Sequence, residues 1–177
     1  YYPKAEMAYF KESVKLVNPS FTMVTDTLGY NTATKVAFFL APTWVNDSVN
    51  SMYTEDGYYD TEHKYALLHQ NASIGDTTYT LYADTIEYDQ GRDLGVAHGA
   101  IRLEQIDSSL TVFGKYGEFR SKTEATFVTD SAFAVQRLDN DTLFLFADTL
   151  STFKDTLEDK RYFMASRNSF FLTKNMQ

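Results

Sequence analysis

One nine-residue pattern recurs along this chain, and a recurring pattern restricts the fold to an architecture built by repetition. Thr80-Leu81-Tyr82-Ala83-Asp84-Thr85-Ile86-Glu87-Tyr88 has an upstream copy, Thr22-Met23-Val24-Thr25-Asp26-Thr27-Leu28-Gly29-Tyr30. A downstream copy reads Phe144-Leu145-Phe146-Ala147-Asp148-Thr149-Leu150, and the shared aspartates are 58 and 64 residues apart. A second pattern alternates with the first. Lys4-x-Glu6-x-x-Tyr9-Phe10-x-Glu12-Ser13-Val14 returns after 118 residues as Lys122-x-Glu124-x-x-Phe127-Val128-x-Asp130-Ser131-Ala132. Lys64-Tyr65-Ala66-Leu67-Leu68 fits between them, 58 residues beyond Glu6. Two Gly-x-aromatic triplets, Gly57-Tyr58-Tyr59 and Gly117-Glu118-Phe119, place their glycines 60 residues apart. The chain therefore reads as a double rung of about 60 residues, each rung long enough for two or more strands.

Within the rungs the hydrophobic period is two. Ala100-Ile101-Arg102-Leu103-Glu104-Gln105-Ile106 and Leu110-Thr111-Val112-Phe113-Gly114 alternate apolar and polar residues as half-buried strands do. Residues 1–17 have helical propensity, but their match to later strand-like segments assigns them to a strand. Residues 154–163 are the one other place where a short helix fits. Turn chemistry separates the runs at Asn18-Pro19, Asn46-Asp47, Asn71 to Gly75, Asp89-Gln90-Gly91 and Asp139-Asn140-Asp141. The expectation is an all-β chain, a jellyroll or solenoid-like stack of antiparallel strands in two facing sheets, forming one domain over residues 1–177.

The alternation slips at the repeated aspartate. Leu81 and Ala83 share a face, as do Ile86 and Tyr88, yet Ala83 and Ile86 are three positions apart. A slipped phase in a strand marks a bulge or a corner, where a short carboxylate can accept from freed backbone amides. Asp26, Asp84 and Asp148 are accordingly expected to be structural corner residues.

Composition narrows the function. A net charge of −8 with no basic cluster argues against nucleic-acid binding. The absence of cysteine excludes disulfides and thiolate chemistry. His63, His69 and His98 are the only histidines, and none has metal-ligand spacing or a nucleophile beside it. Carboxylate pairs such as Glu55-Asp56, Asp139 with Asp141, and Glu158-Asp159 fall in turns or between repeats, which does not suit glycan hydrolysis. No phosphate-binding glycine loop or calcium turn occurs, so neither an enzyme nor a cofactor or metal is expected. Asn46, Asn71 and Asn140 begin Asn-x-(Ser/Thr) triplets. Asp26, Asp47, Asp84, Asp130, Asp141, Asp148 and Asp155 each begin an Asp-(Thr/Ser)-apolar triplet, which resembles an O-glycosylation signal of exported Bacteroidetes proteins. No run reaches the roughly 18 apolar residues of a membrane helix. The chain lacks a basic-then-apolar leader and opens within a repeat, so it reads as part of a longer exported chain.

The rungs Leu81-Tyr82-Ala83-Asp84-Thr85-Ile86-Glu87-Tyr88-Asp89 and Ala97-His98-Gly99-Ala100-Ile101-Arg102-Leu103, with the alternating rung Leu110-x-x-x-Gly114-x-x-Gly117-x-Phe119, resemble the OstA/LptA family of periplasmic lipopolysaccharide-transport proteins. The wealth of Asp-Thr and aromatic residues is similar to the Bacteroidetes branch of that family. The resemblance implies a two-sheet jellyroll opened into a V whose apolar interior holds lipopolysaccharide acyl chains. It also implies a periplasmic location, other lipopolysaccharide-transport components as partners, and head-to-tail stacking of copies through terminal strands. Strands such as Leu143-Phe144-Leu145-Phe146, apolar on both faces, suit either a core or a ligand wall. The expected groove residues are Leu81, Ala83, Ile86, Ile101, Leu103, Leu110, Val112, Leu143 and Leu145. The alternatives are a polysaccharide-binding solenoid using Tyr58, Tyr59 and Trp44, or a structural array that only assembles strand to strand.

Overall fold

The computed structural model describes residues 6–17, 19, 21–120, 122–123, 125–139, 141–155 and 160–175. All regular structure there is β: β1 Met7–Val17, β2 Thr22–Asn31, β3 Val36–Phe39, β4 Thr43–Asn46, β5 Ser51–Thr54, β6 Asp56–Asp60, β7 Tyr65–Gly75 and β8 Tyr79–Asp89 come first. β9 Leu94–Gln105, β10 Leu110–Arg120, β11 Ala125–Thr129, β12 Phe133–Leu138, β13 Asp141–Phe146, β14 Thr149–Asp155, β15 Lys160–Ser166 and β16 Phe170–Asn175 follow. Met7–Val17 is a strand. The segment considered for a short helix instead belongs to β14 and β15, apart from residues 156–159, which lie outside the described set.

Every pairing is antiparallel, and the strands form two half-sheets that share their long members. Sheet I runs β1–β2–β3–β6–β7–β8–β9–β10–β11–β14–β15. Sheet II runs β1–β2–β4–β5–β7–β8–β9–β10–β12–β13–β16. The chain crosses from one sheet to the other in every rung, either within a long strand or between two short ones. The sequence period corresponds to four such crossings, from β2 through β3/β4, β5/β6 and β7 to β8.

The crossings have two repeated chemistries. Glu12-Ser13, Gln70-Asn71 and Asp130-Ser131 are consecutive pairs with φ between 57° and 68°. This left-handed backbone costs about 1–2 kcal/mol per non-glycine residue, so a phase change must require it. The neighbouring rung carries the Asp-Thr copy, and the register gains a residue on the left-handed side at each site: Lys11/Val14 against Thr27/Thr25, and His69/Ala72 against Thr85/Ala83. Asn71–Gly75 is not a turn but the second half of β7. Its asparagine serves the bulge, and the turn falls at residues 76–78, where Asp76 accepts from the amides of Thr78 and Tyr79.

The core lies along the crossings. Ala72, Ala83, Ile86, Ala97, Ile101, Val128, Ala134 and Leu150 from both sheets are at most 5% exposed and belong to one cluster. Half of these are alanines, whose small side chains let the backbones approach closely at the corner. Backbone carbonyls freed by the bend are satisfied by buried hydroxyls: Thr43 donates to Ala41 O at 2.8 Å, and Thr54 donates to His69 O at 2.8 Å.

Candidate functional site

Away from the crossings burial relaxes on the inner faces of both sheets. In β8, Ala83 and Ile86 are buried, whereas Leu81 and Tyr88 on either side are half-buried. In β10, Val112 and Gly117 are buried, whereas Leu110 and Phe119 are half-buried. This gradient in both directions describes a wedge, closed at the corner and open at the strand ends.

The inner wall of sheet II has an apolar row along its length, between the buried Thr25, Thr43 and Thr54 of the corner and Tyr79, Gln105 and Gln136 at the mouth. One register row passes through Leu16, Met23, Val45, Met52, Ile74, Leu81, Leu103, Val112, Ala134, Leu145 and Phe171. Each step is one strand, about 4.8 Å, so the row follows the long direction of the sheet without a polar side chain. The facing wall of sheet I alternates large and small residues: Tyr30, Ala37, Tyr59, Ala66, Tyr88, Gly95 and Phe119 occupy one row. The Phe119 ring lies over Gly95, where any β-carbon would collide with it, and stacks on Tyr88 at 6.0 Å between centroids. Burial raises the Tyr59 phenol above its usual value, and the Asp60 carboxylate adds to the effect.

The nine residues expected in a groove divide by depth. Ala83, Ile86, Ile101 and Val112 sit in the closed core, at 5%, 0%, 2% and 3% exposure. Leu81, Leu103, Leu110, Leu143 and Leu145 are half-buried beyond it. Val45, Met52 and Ile74 of sheet II, with Tyr30, Tyr59, Tyr88 and Phe119 of sheet I, complete the walls and were missed. The Gly-x-aromatic triplets held a signal for two of them, since in a strand the aromatic shares the glycine's face.

The three repeated aspartates occupy crossings and are exposed. Asp84 Oδ2 accepts from the Ala100 amide at 3.1 Å, beside Gly99, whose φ of +93° and missing β-carbon leave the carboxylate its place. Asp148 lies between β13 and β14 and accepts from Asn168 Nδ2 at 3.0 Å. Asp26 lies where β2 changes partner from β4 to β3, and accepts from the Thr27 hydroxyl at 3.2 Å. Of the other Asp-(Thr/Ser) positions, Asp130 is at a crossing, Asp47 in a turn, and Asp141 and Asp155 at strand ends.

The polar chemistry is dispersed. His63 is in an exposed turn 2.8 Å from Asp60, which raises its affinity for a proton. His69 bonds Thr85 at 3.2 Å, and His98 packs edge-on against Tyr116. Glu55, Asp56, His69, Gln70, Asn71, Asp84 and Thr85 line an open polar depression on the outside of the bend. Its groups are largely tied to one another, as in the bond from Asn71 Nδ2 to Glu55 at 2.9 Å. Among the described residues no three His, Cys, Asp or Glu side chains converge as metal ligands, and no helix is long and apolar enough to cross a membrane. The aromatics of the polysaccharide alternative are split: Tyr59 faces inward, Tyr58 outward on sheet I, and Trp44 outward on sheet II beside Tyr53 at 5.0 Å.

The two ends of the array have unpaired edges among the described residues. β1 bonds only β2, while β15 and β16 bond only β14 and β13. Large apolar side chains are exposed on both, including Tyr9 and Val17 at one end and Phe170, Phe171 and Leu172 at the other.

Known proteins resemble this chain at the level of fold and family. The solved structure of LptH, described as the LptA-homologous periplasmic component of the lipopolysaccharide transport device of Pseudomonas aeruginosa, superposes with a TM-score of 0.54. The match has 14% identity and covers 67% of this chain and 82% of that one, so it shows a shared β-jellyroll fold. No curated protein matches in sequence. The profile of the OstA-like protein family matches residues 1–84 and 46–142, which together span most of the chain. The chain belongs to the OstA-like protein family.

Proposed function

We propose that this protein carries lipopolysaccharide across the periplasm towards the outer membrane, shielding its acyl chains in the wedge between the two sheets, without catalysis. The observation that carries the reading is the unbroken apolar row from Leu16 to Phe171 along the inner wall of sheet II. Shielding a chain there recovers about 0.8 kcal/mol per buried methylene and needs no reactive group. Family membership and the fold shared with LptH support the reading. The half-buried Leu81, Leu103, Leu110, Leu143 and Leu145 form the contact wall, and Ala83, Ile86, Ile101 and Val112 its floor. Asp26, Asp84 and Asp148 hold the corners. Copies, or other transport components, add to the edges of β1 and β16, because a strand edge unpaired among the described residues and bearing exposed apolar side chains favours strand addition.

A photo-reactive phenylalanine at Leu81 or Leu103 is expected to crosslink lipopolysaccharide, and one at Trp44 or Phe113 on the outer face is not. Folded Leu81→Asp and Leu145→Asp proteins are expected to lose lipid from native mass spectra. Equal crosslinking from inner and outer positions would overturn the assignment.

A further inference from the structure

The two walls of the wedge differ in polarity. Opposite the aliphatic row of sheet II, Tyr30, Tyr59 and Tyr88 stand on alternate strands of sheet I, separated by Ala37 and Ala66. Alternate strands are about 10 Å apart, so the phenols form an evenly spaced series along the wall. Their rings pack against the core, and their hydroxyls, bonded to no other group among the described residues, are not among the fully buried polar atoms. The outer-face tyrosines behave differently: Tyr65 donates to Glu87 at 2.7 Å, Tyr116 to Glu118 at 2.7 Å and Tyr53 to Glu55 at 3.3 Å. The inner phenols thus have an apolar body in the core and an uncommitted donor at the mouth, the arrangement that suits a ligand with an apolar tail and a polar joint.

We infer that Tyr30, Tyr59 and Tyr88 are the donors that recognise the ester or amide carbonyls joining acyl chains to their headgroup, and so fix how deep each chain enters. This rests on the groove reading above. The acceptor is a neutral carbonyl and not a free carboxylate. Burial, with the Asp60 carboxylate adding to it, already disfavours charge at the Tyr59 phenol, and the protein as a whole carries a net charge of −8, which disfavours an anionic ligand. The row facing them on sheet II, through Leu81 and Leu103, has no polar side chain. The polar groups of that inner face, Tyr79, Gln105 and Gln136, come only at the next row outward, so the first donors met from the corner are the phenols of sheet I.

The test uses two probes of equal heavy-atom count, methyl decanoate and tridecane, each displacing N-phenyl-1-naphthylamine from wild type and from the triple variant Tyr30→Phe/Tyr59→Phe/Tyr88→Phe. The variant is expected to bind the ester about 3- to 10-fold more weakly, the loss of one net hydrogen bond, and to bind tridecane at least as well. With a 13C-labelled ester carbonyl, the infrared stretch of the bound probe is expected at lower frequency in wild type than in the variant. Circular dichroism checks that the variant keeps its fold, and the single Tyr→Phe proteins replace it if it does not. An unchanged ester affinity together with an unchanged carbonyl stretch overturns the hydroxyl assignment alone. A wild type that binds neither probe overturns the groove reading with it.

Discussion

The corner and the mouth of the wedge are built from the same strands yet obey opposite rules. At the corner, Ala83, Ile86, Ala97 and Ile101 are closed off, and each bend is completed by a specific polar partner such as Asp84 on the Ala100 amide. At the mouth, Leu81, Leu103 and Tyr88 are large and half-buried, and their contacts are apolar, as where Tyr88 stacks on Phe119. The difference teaches that a residue's position along its strand decides its work. The middle of each rung holds the fold, and two or more residues outward the same chain has apolar surface to lend to a ligand.

Substitutions at the corner and the mouth should separate those roles. The largest effect is expected at Gly99, where φ is +93° and a β-carbon would strike the Asp84 side chain. Gly99→Ala should lose about 3 kcal/mol or more from combined backbone strain and overpacking, read from urea unfolding. A Gly99→Ala protein as stable as wild type would show that the corner tolerates a side chain at residue 99. Next, Ile86→Ala empties a fully buried site and should cost about 2–5 kcal/mol, whereas half-buried Leu81→Ala should cost about 1–2 kcal/mol. Lipid retention in native mass spectra should order the pair the other way, with Leu81→Ala the poorer binder at matched folded fraction. If both assays rank the two alike, corner and mouth are not distinct.

Alkaline pH probes the aromatic wall and the outer tyrosines. Burial raises the Tyr59 phenol, and burial with the bond to Glu87 raises Tyr65 further. Folded-state values above the ordinary phenol value of about 10 mean that these groups stabilise the protein below that pH. The stabilisation is lost as pH rises towards the folded-state values. Urea midpoints should therefore fall above about pH 10, and fall less steeply in Tyr65→Phe. An identical slope in wild type and variant would show that Tyr65 ionises freely in the folded protein. The smallest stability effect is expected at the edges. Val17→Lys and Phe171→Glu, at 65% and 67% exposure, should change stability by no more than about 0.5 kcal/mol. Each should nevertheless shift self-association to higher concentration in size-exclusion chromatography, because a charge on an edge strand opposes addition.

Much of this fold was legible in the residues. The period of two and the three-residue step from Ala83 to Ile86 report the pleat and its interruption, which depend only on neighbours in the chain. The left-handed pairs were partly visible, since Glu12-Ser13 and Asp130-Ser131 fall at equivalent places in the repeat, although nothing local marked their φ. Asn71 differs from its expected place in a turn, because the side chain that favours a turn also tolerates a bulge. The candidate groove was half legible. Leu81, Leu103 and Leu145 follow from alternation, but Val45, Met52 and Ile74 join them only through register.

By itself, the sequence determined an all-β chain with a repeated break in phase at Asp26, Asp84 and Asp148, since covalent geometry and side-chain alternation act over a few residues. Only the tertiary structure decided which face each strand turns inward, and how deep each apolar residue lies. Ile86 and Leu81 look alike in their local pattern, yet one is sealed at the corner and the other is half open. Tyr30, Tyr59 and Tyr88 are spread over much of the chain and become one wall only when intervening strands bring them into a single row. Cross-strand register is a property of paired backbones, and no single strand contains it.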